Sequence, residues 1–393
     1  LPSLIRQRTW WGARGGLAPV RPMSDILKKT KAFAAMIAEA VPAWERARAY
    51  PREAIVEAAA IGLTGIEVPR EHGGLGLPYS AKARIAEILA SADFGLAMAI
   101  LNTQNVAQRL TLGAPHLAER YLPDLLSGQR IGCTALTEPG AGSDFSAIQT
   151  TATQDGDDWV LTGEKAWIIN AAAADVICVY AQTQPGSGAK GIASFLVDAR
   201  RPGFHRAPAT GMTAQHTIGA GGFTLERYRA HSDEMLHPPG EAFRAALNGI
   251  NGARVYVAAM CAGMVAASLE TAARYGQDRQ TFGKPLVQHQ GWRWRLAEAE
   301  TDLAAARLMV AEAAAMIDAG EDVIQHAART KVFATRMAER HIAALAQNMG
   351  AEGLRDSHPF SRHLIGARTA SLTDGSTEML LERIASTYRR TLQ

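Results

Sequence analysis

Cysteine is scarce: Cys133, Cys178 and Cys261 are the only three in 393 residues, and they lie far apart in no metal-ligand spacing. That excludes a disulfide-stapled framework and a cysteine metal site, and it fits small buried thiols in a reducing compartment. Aromatic residues make up 6% of the chain, and no basic stripe with interleaved aromatics is present to grip nucleic acid. No stretch approaches the roughly 18–20 uninterrupted apolar residues of a membrane span. Acids are missing from residues 1–22, which carry Arg6, Arg8, Arg14 and Arg21, so the remainder holds 37 basic against 38 acidic residues. The net charge of +3 therefore comes from this leader and does not imply a polyanionic partner.

The leader "LPSLIRQRTWWGARGGLAPVRP" precedes "MSDILKK", which reads as a natural start. It is either an organelle transit segment, implying a mitochondrial matrix protein, or an added extension or mis-assigned start on a bacterial cytoplasmic one. Its weak helical amphipathicity favours the second reading, and residues 1–22 are expected to add nothing to the fold.

What remains divides by texture into residues 23–130, 131–237 and 238–393. The first is helical: Ser24 is placed to cap a helix running towards Ala49, Pro51 suits the start of the next, and "PREHGGLGLP" (69–78) is a loop before periodicity resumes over 80–127. In the second, the short runs "DWVLTG", "AWII", "DVICVYAQT", "GIASFLVDA" and "GGFTLERY" alternate with Gly, Pro and Asp turns, as expected of an antiparallel β domain. The third predicts long helices over about 241–275, 289–318 and 322–349 and a last one after Gly375. Val255, Ala258, Ala262 and Val265 recur at helical spacing, in the manner of a four-helix bundle. The predicted class is α+β multidomain.

The most specific stretch is "ALTEPGAGSDFSA" (135–147), a strand end followed by Gly140, Gly142 and Ser143. Such a loop brings bare amides and hydroxyls close to a ligand, although a plain turn between strands would look similar. This stretch resembles the first signature of the acyl-CoA dehydrogenase family, and four further segments follow in family order. They are "KAWIIN" (165–170), "DRQTFGKPLVQHQ" (278–290), "QNMGAEGL" (347–354) and "TDGSTEML" (373–380), the last resembling the family's "YEGTSEIQ".

The resemblance implies FAD as cofactor, an acyl-CoA substrate, an electron-transfer flavoprotein as acceptor and a homotetramer built as a dimer of dimers. It places Leu136, Thr137, Gly142, Ser143, Trp167 and Ile169 at the flavin. Arg279, Thr281, Phe282, His289, Gln290, Gln347 and Gly350 fall at the FAD of a neighbouring subunit, and Ser376, Thr377 and Glu378 at the start of the last helix. Ser143, Asn251, Arg254, Thr373 and Gly375 fall at the substrate, and Asp374 takes the catalytic-base position. Taken singly, Arg279 reads as a surface charge, Trp167 as β-domain core, His289 as a solvated helix-end residue and Asp374–Gly375 as an ordinary turn.

The implied reaction is α,β-dehydrogenation. A carboxylate removes the α proton, the β hydrogen leaves as hydride to flavin N5, and the base residue's backbone N–H helps stabilise the enolate-like oxygen. Three departures mark a divergent member. Asp374 stands where the family has Glu and is roughly 1.5 Å shorter in reach. Ile169 replaces a hydroxyl beside the flavin, and Thr373 replaces a bulky aromatic. Other branches carry the base at the position of Ala253, which has no titratable group.

These departures point to a cyclic, branched or polar acyl group. They also leave open a nitroalkane oxidase-like or sulfinate-eliminating activity, or a non-catalytic FAD-binding subunit. Arg109, in "NTQNVAQR" (102–109), reads first as part of a solvated helix face and second as a site for another anionic group on the substrate.

Overall fold

Helices flank a single large sheet, in the order helix, sheet, helix, throughout the computed structural model, which describes residues 21–208 and 211–391. The reading of residues 1–22 as a leader falls outside the described residues, save that the first helix opens at Arg21.

The leading helices are α1 (Arg21–Ala47), α2 (Arg52–Ala60), α3 (Tyr79–Ala92), α4 (Phe94–Thr111) and α5 (Pro115–Leu126). Ser24 lies inside α1 and is not its cap. The predicted continuous helix after Ser80 is broken at Asp93, whose backbone is extended and whose carboxylate accepts from Leu96 N at 2.8 Å, capping α4.

Eight strands follow: β1 (Gly132–Ala135), β2 (Thr151–Asp155), β3 (Asp158–Ile168), β4 (Val176–Gln182), β5 (Ile192–Asp198), β6 (Phe204–Arg206), β7 (Gly221–Ala230) and β8 (Met235–His237). They run in the order β6-β7-β3-β2-β4-β5-β8, with β1 also paired to β4. Most pairs are antiparallel, as the sequence predicts. The exceptions are β1, which runs parallel to β4 with Cys133 opposite Ile177, and Thr151 of β2, which meets Gln182 in parallel register. "DWVLTG" and "AWII" form one strand, β3, in place of two. Its irregularities lie around Gly163 (φ 154°), where a side chain would run into the Thr150 backbone, and at Trp167.

The closing helices are α6 (Ala242–Asp278), α7 (Gln290–Asp318), α8 (Ile324–Asn348), α9 (Phe360–Leu372) and α10 (Thr377–Thr391). A small hairpin, β9 (Gln280–Thr281) with β10 (Lys284–Pro285), joins α6 to α7. Helix α9 is an addition to the predicted set. Helix α6 is the spine: α3, α7, α8 and α9 all pack on it, and Val255, Ala258, Ala262 and Val265 are buried as their spacing predicts. By length and hydropathy α6 would suit a bilayer span, yet its apolar window is 72% buried by these neighbours.

Candidate active site

The α9–α10 turn carries Asp374. Helix α9 ends at Leu372, Thr373 is extended, and Asp374 and Gly375 both take left-handed backbone (φ 55° and 94°) before α10 begins at Thr377. Asp tolerates this conformation better than most side chains. Gly375 is required by its φ and by Arg254, since a Cβ there would lie 3.2 Å from the Arg254 guanidinium. Ser376 Oγ accepts from Met379 N at 3.4 Å, and Leu380 anchors the start of α10 against Ala328 and Val332 of α8.

Three successive carbonyls of this turn are held by buried cations. Arg254 Nε donates to Asp374 O at 2.9 Å, while its Nη1 donates to Asn251 Oδ1 at 2.6 Å. Lys331 of α8 donates to Thr373 O and, at 2.6 Å, to Gly375 O. The Asp374 side chain is half-buried and, among the described residues, makes neither hydrogen bond nor ion pair. Its backbone N–H likewise meets no protein acceptor.

Burial raises the Asp374 carboxyl above the usual carboxylate range, against the opposing pull of Lys331 and Arg254. Burial in turn lowers Lys331 to about 8 and Arg254 to about 10. The turn thus presents a free carboxylate and a free N–H side by side, which suits removing a proton next to a carbonyl.

Facing this carboxylate is a polar inner wall from α3, α4 and α6. The Tyr79 hydroxyl donates to Gly252 O, and Asn105 Nδ2 donates to Tyr256 Oη at 3.3 Å. Lys82 pairs with Glu67 at 2.5 Å, donates to Asn105 at 2.7 Å and lies over both tyrosine rings. Burial drives the Tyr256 phenol well upward, and the charge of Asp374 adds to this. Thr373 Oγ1 is buried and has no hydrogen-bond partner among the described residues.

The loop after β1 lies beside the start of α6, where Leu136 packs on a cluster that includes Ala242 and Ala246. Leu136 and Thr137 are half-buried, whereas Gly140, Gly142 and Ser143 are exposed, with open space before Gly140 and only the Thr137 methyl, 3.9 Å from a Cβ, before Gly142. A buried ion pair fastens this loop. Lys165 Nζ meets Glu138 Oε1 at 2.7 Å and donates to Leu136 O at 3.1 Å, while Glu138 accepts from Gln149 N (2.6 Å) and Thr150 N (3.0 Å). Burial lowers Lys165 to about 8 even though Glu138 pulls it upward. Trp167 is 63% exposed and so is not β-domain core, while Ile169 packs its side chain against the helical core.

The remaining predicted flavin contacts lie elsewhere. Arg279, Thr281, Phe282, His289 and Gln290 surround the β9–β10 hairpin, and Gln347 and Gly350 stand at the nearby end of α8. Phe282 is 93% exposed, and His289 Nε2 donates to Thr281 O at 3.1 Å while its ring meets Phe282 edge-on. Arg254 and Arg279 sit 25 residues apart along α6, about 37 Å at the helical rise per residue.

One chain thus carries its candidate residues in two groups, one near Arg254 in the first half of α6 and one at the C-terminal end of that helix. Their composition fits FAD: an exposed indole and phenyl for apolar cover, and glycines, hydroxyls and an arginine for ring carbonyls and phosphates.

Arg109 is not on a solvated face. Its Nη1 is buried without a partner among the described residues, beside Gly249 of α6. Sequence reasoning also missed Lys331, Lys165, Tyr79 and Tyr256.

Three consecutive segments match models of acyl-CoA dehydrogenases: the N-terminal domain over residues 24–129, the middle domain over 133–227 and the C-terminal domain over 240–388. The mitochondrial short-chain specific acyl-CoA dehydrogenase of Bos taurus is 32% identical over 332 residues, 84% of this chain and 81% of that protein. The 3-(aryl)acrylate reductase of Clostridium sporogenes is 31% identical over 370 residues, 93% of each. The solved butyryl-CoA dehydrogenase of Megasphaera elsdenii superposes with a TM-score of 0.91 at 29% identity, covering 95% of this chain and all of that one.

Proposed function

Because this chain belongs to the acyl-CoA dehydrogenase family, we propose that Asp374 is the base that removes the α proton of its acyl-CoA substrate. The family assigns a flavin-dependent oxidoreductase acting on the α,β carbon–carbon bond of acyl-CoA, by dehydrogenation or reduction, with FAD as cofactor. Bound FAD supplies the acceptor for the β hydride.

The observation that carries the assignment is the unpaired Asp374 carboxylate beside its own unpaired N–H. The N–H is placed to stabilise the thioester oxygen while the carboxylate takes the adjacent α proton. Burial raises the carboxyl above the usual carboxylate range, and the two cations oppose that rise. Leu136, Thr137, Gly142, Ser143, Trp167, Ser376, Thr377 and Glu378 would hold FAD from one chain. Arg279, Thr281, Phe282, His289, Gln290, Gln347 and Gly350 would hold it from the next, in a dimer of dimers. An electron-transfer flavoprotein would receive the electrons.

The substrate is a compact acyl group, polar, branched or cyclic, in place of a long straight chain. Three features support this: the shorter reach of Asp374, the small Thr373, and an inner wall closed by Tyr79, Tyr256 and the Lys82–Glu67 pair. Asp374→Asn should keep its FAD yet lose flavin bleaching by acyl-CoA under anaerobic conditions by about 10²–10⁴-fold. Full retained rate would remove Asp374 from the role. A panel of acyl-CoA thioesters, read by the same bleaching, tests the substrate class, and fastest reduction by a long unbranched chain would overturn it.

A further inference from the structure

Lys331 is 1% exposed, and among the described residues no carboxylate lies within ion-pair distance of it. Its two acceptors are the carbonyls on either side of Asp374. We propose that Lys331 is a positioning residue, whose ammonium fixes the direction and reach of the Asp374 side chain by holding Thr373 O and Gly375 O. This rests on Asp374 being the base.

Helix capping alone does not account for the contact. A lysine that merely satisfied the end of α9 would need Thr373 O and no more, whereas Gly375 O lies beyond that helix and before α10. A non-glycine residue at φ 55° persists only where its surroundings over-determine it. Here the surroundings are two helices gripping three carbonyls in a row: α6 through Arg254 on the middle one, and α8 through Lys331 on the outer two.

The charge has a further consequence. Burying an unpaired ammonium is costly, and a neutral donor could hold carbonyls. The groups facing Lys331 are Asp374 from the turn and Arg254 and Cys261 from α6, so Asp374 is the carboxylate that its positive charge favours in ionised form. Precision matters more for a base one methylene short, because about 1 Å of misplacement can cost about 100-fold in rate.

The test uses the FAD-loaded enzyme and the fastest acyl-CoA of the panel, in anaerobic stopped flow over a range of pH. Lys331→Met should keep its flavin content and acyl-CoA affinity while flavin reduction slows by about 100-fold. The acid limb of its rate profile should move to higher pH, because a cation that favours ionised Asp374 is gone. Lys331→Arg restores the charge, so its limb should return to the wild-type position with a rate still about tenfold low.

Reduction by Lys331→Met within about twofold of wild type, with the limb unmoved, would overturn the assignment. If Lys331→Met fails to hold flavin, Lys331→Arg decides. A slowed rate with the limb in place supports positioning, and a wild-type rate overturns it. Asp374→Asn run alongside separates the two readings. A fully active Asp374→Asn defeats the base assignment itself, whereas an inactive one beside a normal Lys331→Met defeats only the role of Lys331.

Discussion

Two lysines, Lys165 in the sheet and Lys331 in the helical bundle, face the same problem with different solutions. Both are almost fully buried, burial lowers both to about 8, and both donate to carbonyls of a loop at the site. Lys165 is answered at 2.7 Å by Glu138, so its charge is neutralised inside the loop that it holds. Lys331 has no such partner among the described residues, and its charge remains directed at Asp374. The loop proposed to face the flavin needs shape alone, whereas the loop bearing the proposed base needs shape and a field.

The largest effect should come from unbalancing the paired lysine. Glu138→Ala leaves Lys165 buried and alone, which should cost about 3–5 kcal/mol of stability in denaturant titration. Replacing both partners by Leu and Met should recover most of that loss. Lys331→Met should cost less, about 1–3 kcal/mol from its orphaned carbonyls, because no carboxylate is stranded. If the two single variants lost equal stability, the contrast between the lysines would fail.

Smaller is a pH effect common to both. Each lysine titrates near 8 in the folded chain against 10.5 ordinarily, so between these values the unfolded chain binds more protons. Their contribution to stability is therefore absent below about 8, grows as pH rises through the window and is complete above 10.5. Midpoints of denaturant unfolding across that range should show the slope, and Lys331→Met should flatten it. Smallest is Thr373→Val, which removes a buried hydroxyl with no partner among the described residues. Stability should change by no more than about 1 kcal/mol and in the favourable direction. A larger loss would mean that Thr373 is tied into the grip of Lys331.

The order of layers and the Asp374–Gly375 turn were legible because each rests on local chemistry: alternation in strands, glycines at turns, an aspartate before a glycine. The flavin role of the signature loop and the base role of Asp374 came instead from the family resemblance. The lysines were not singled out, although the pattern held a signal. Lys331 falls among Ala327, Ala328, Ala334 and Thr335, at the spacings of the buried face of α8, and Lys165 shares strand parity with buried Leu161. A lysine on an apolar stripe usually marks an edge from which the side chain can reach water, and only the tertiary packing closes that exit.

Helix α9 escaped because its Gly366, Arg362 and His363 are buried by neighbours far away in sequence, which disguises its amphipathic period. Arg109 reads as solvated in the sequence for the converse reason, since Cys178 and Tyr180 of β4 and Gly249 of α6 together take its tip out of water.

The length of α6 has a consequence for how the protein would be handled. In the proposed arrangement the FAD contacts divide between the neighbourhood of Arg254 and that of Arg279, about 37 Å along the helix, and no chain completes a site by itself. On the reading given above, flavin occupancy becomes a mass-action property of the assembly. Dilution below the subunit dissociation constant should bleed the yellow colour from the protein without unfolding it, and added FAD should draw the subunits back together.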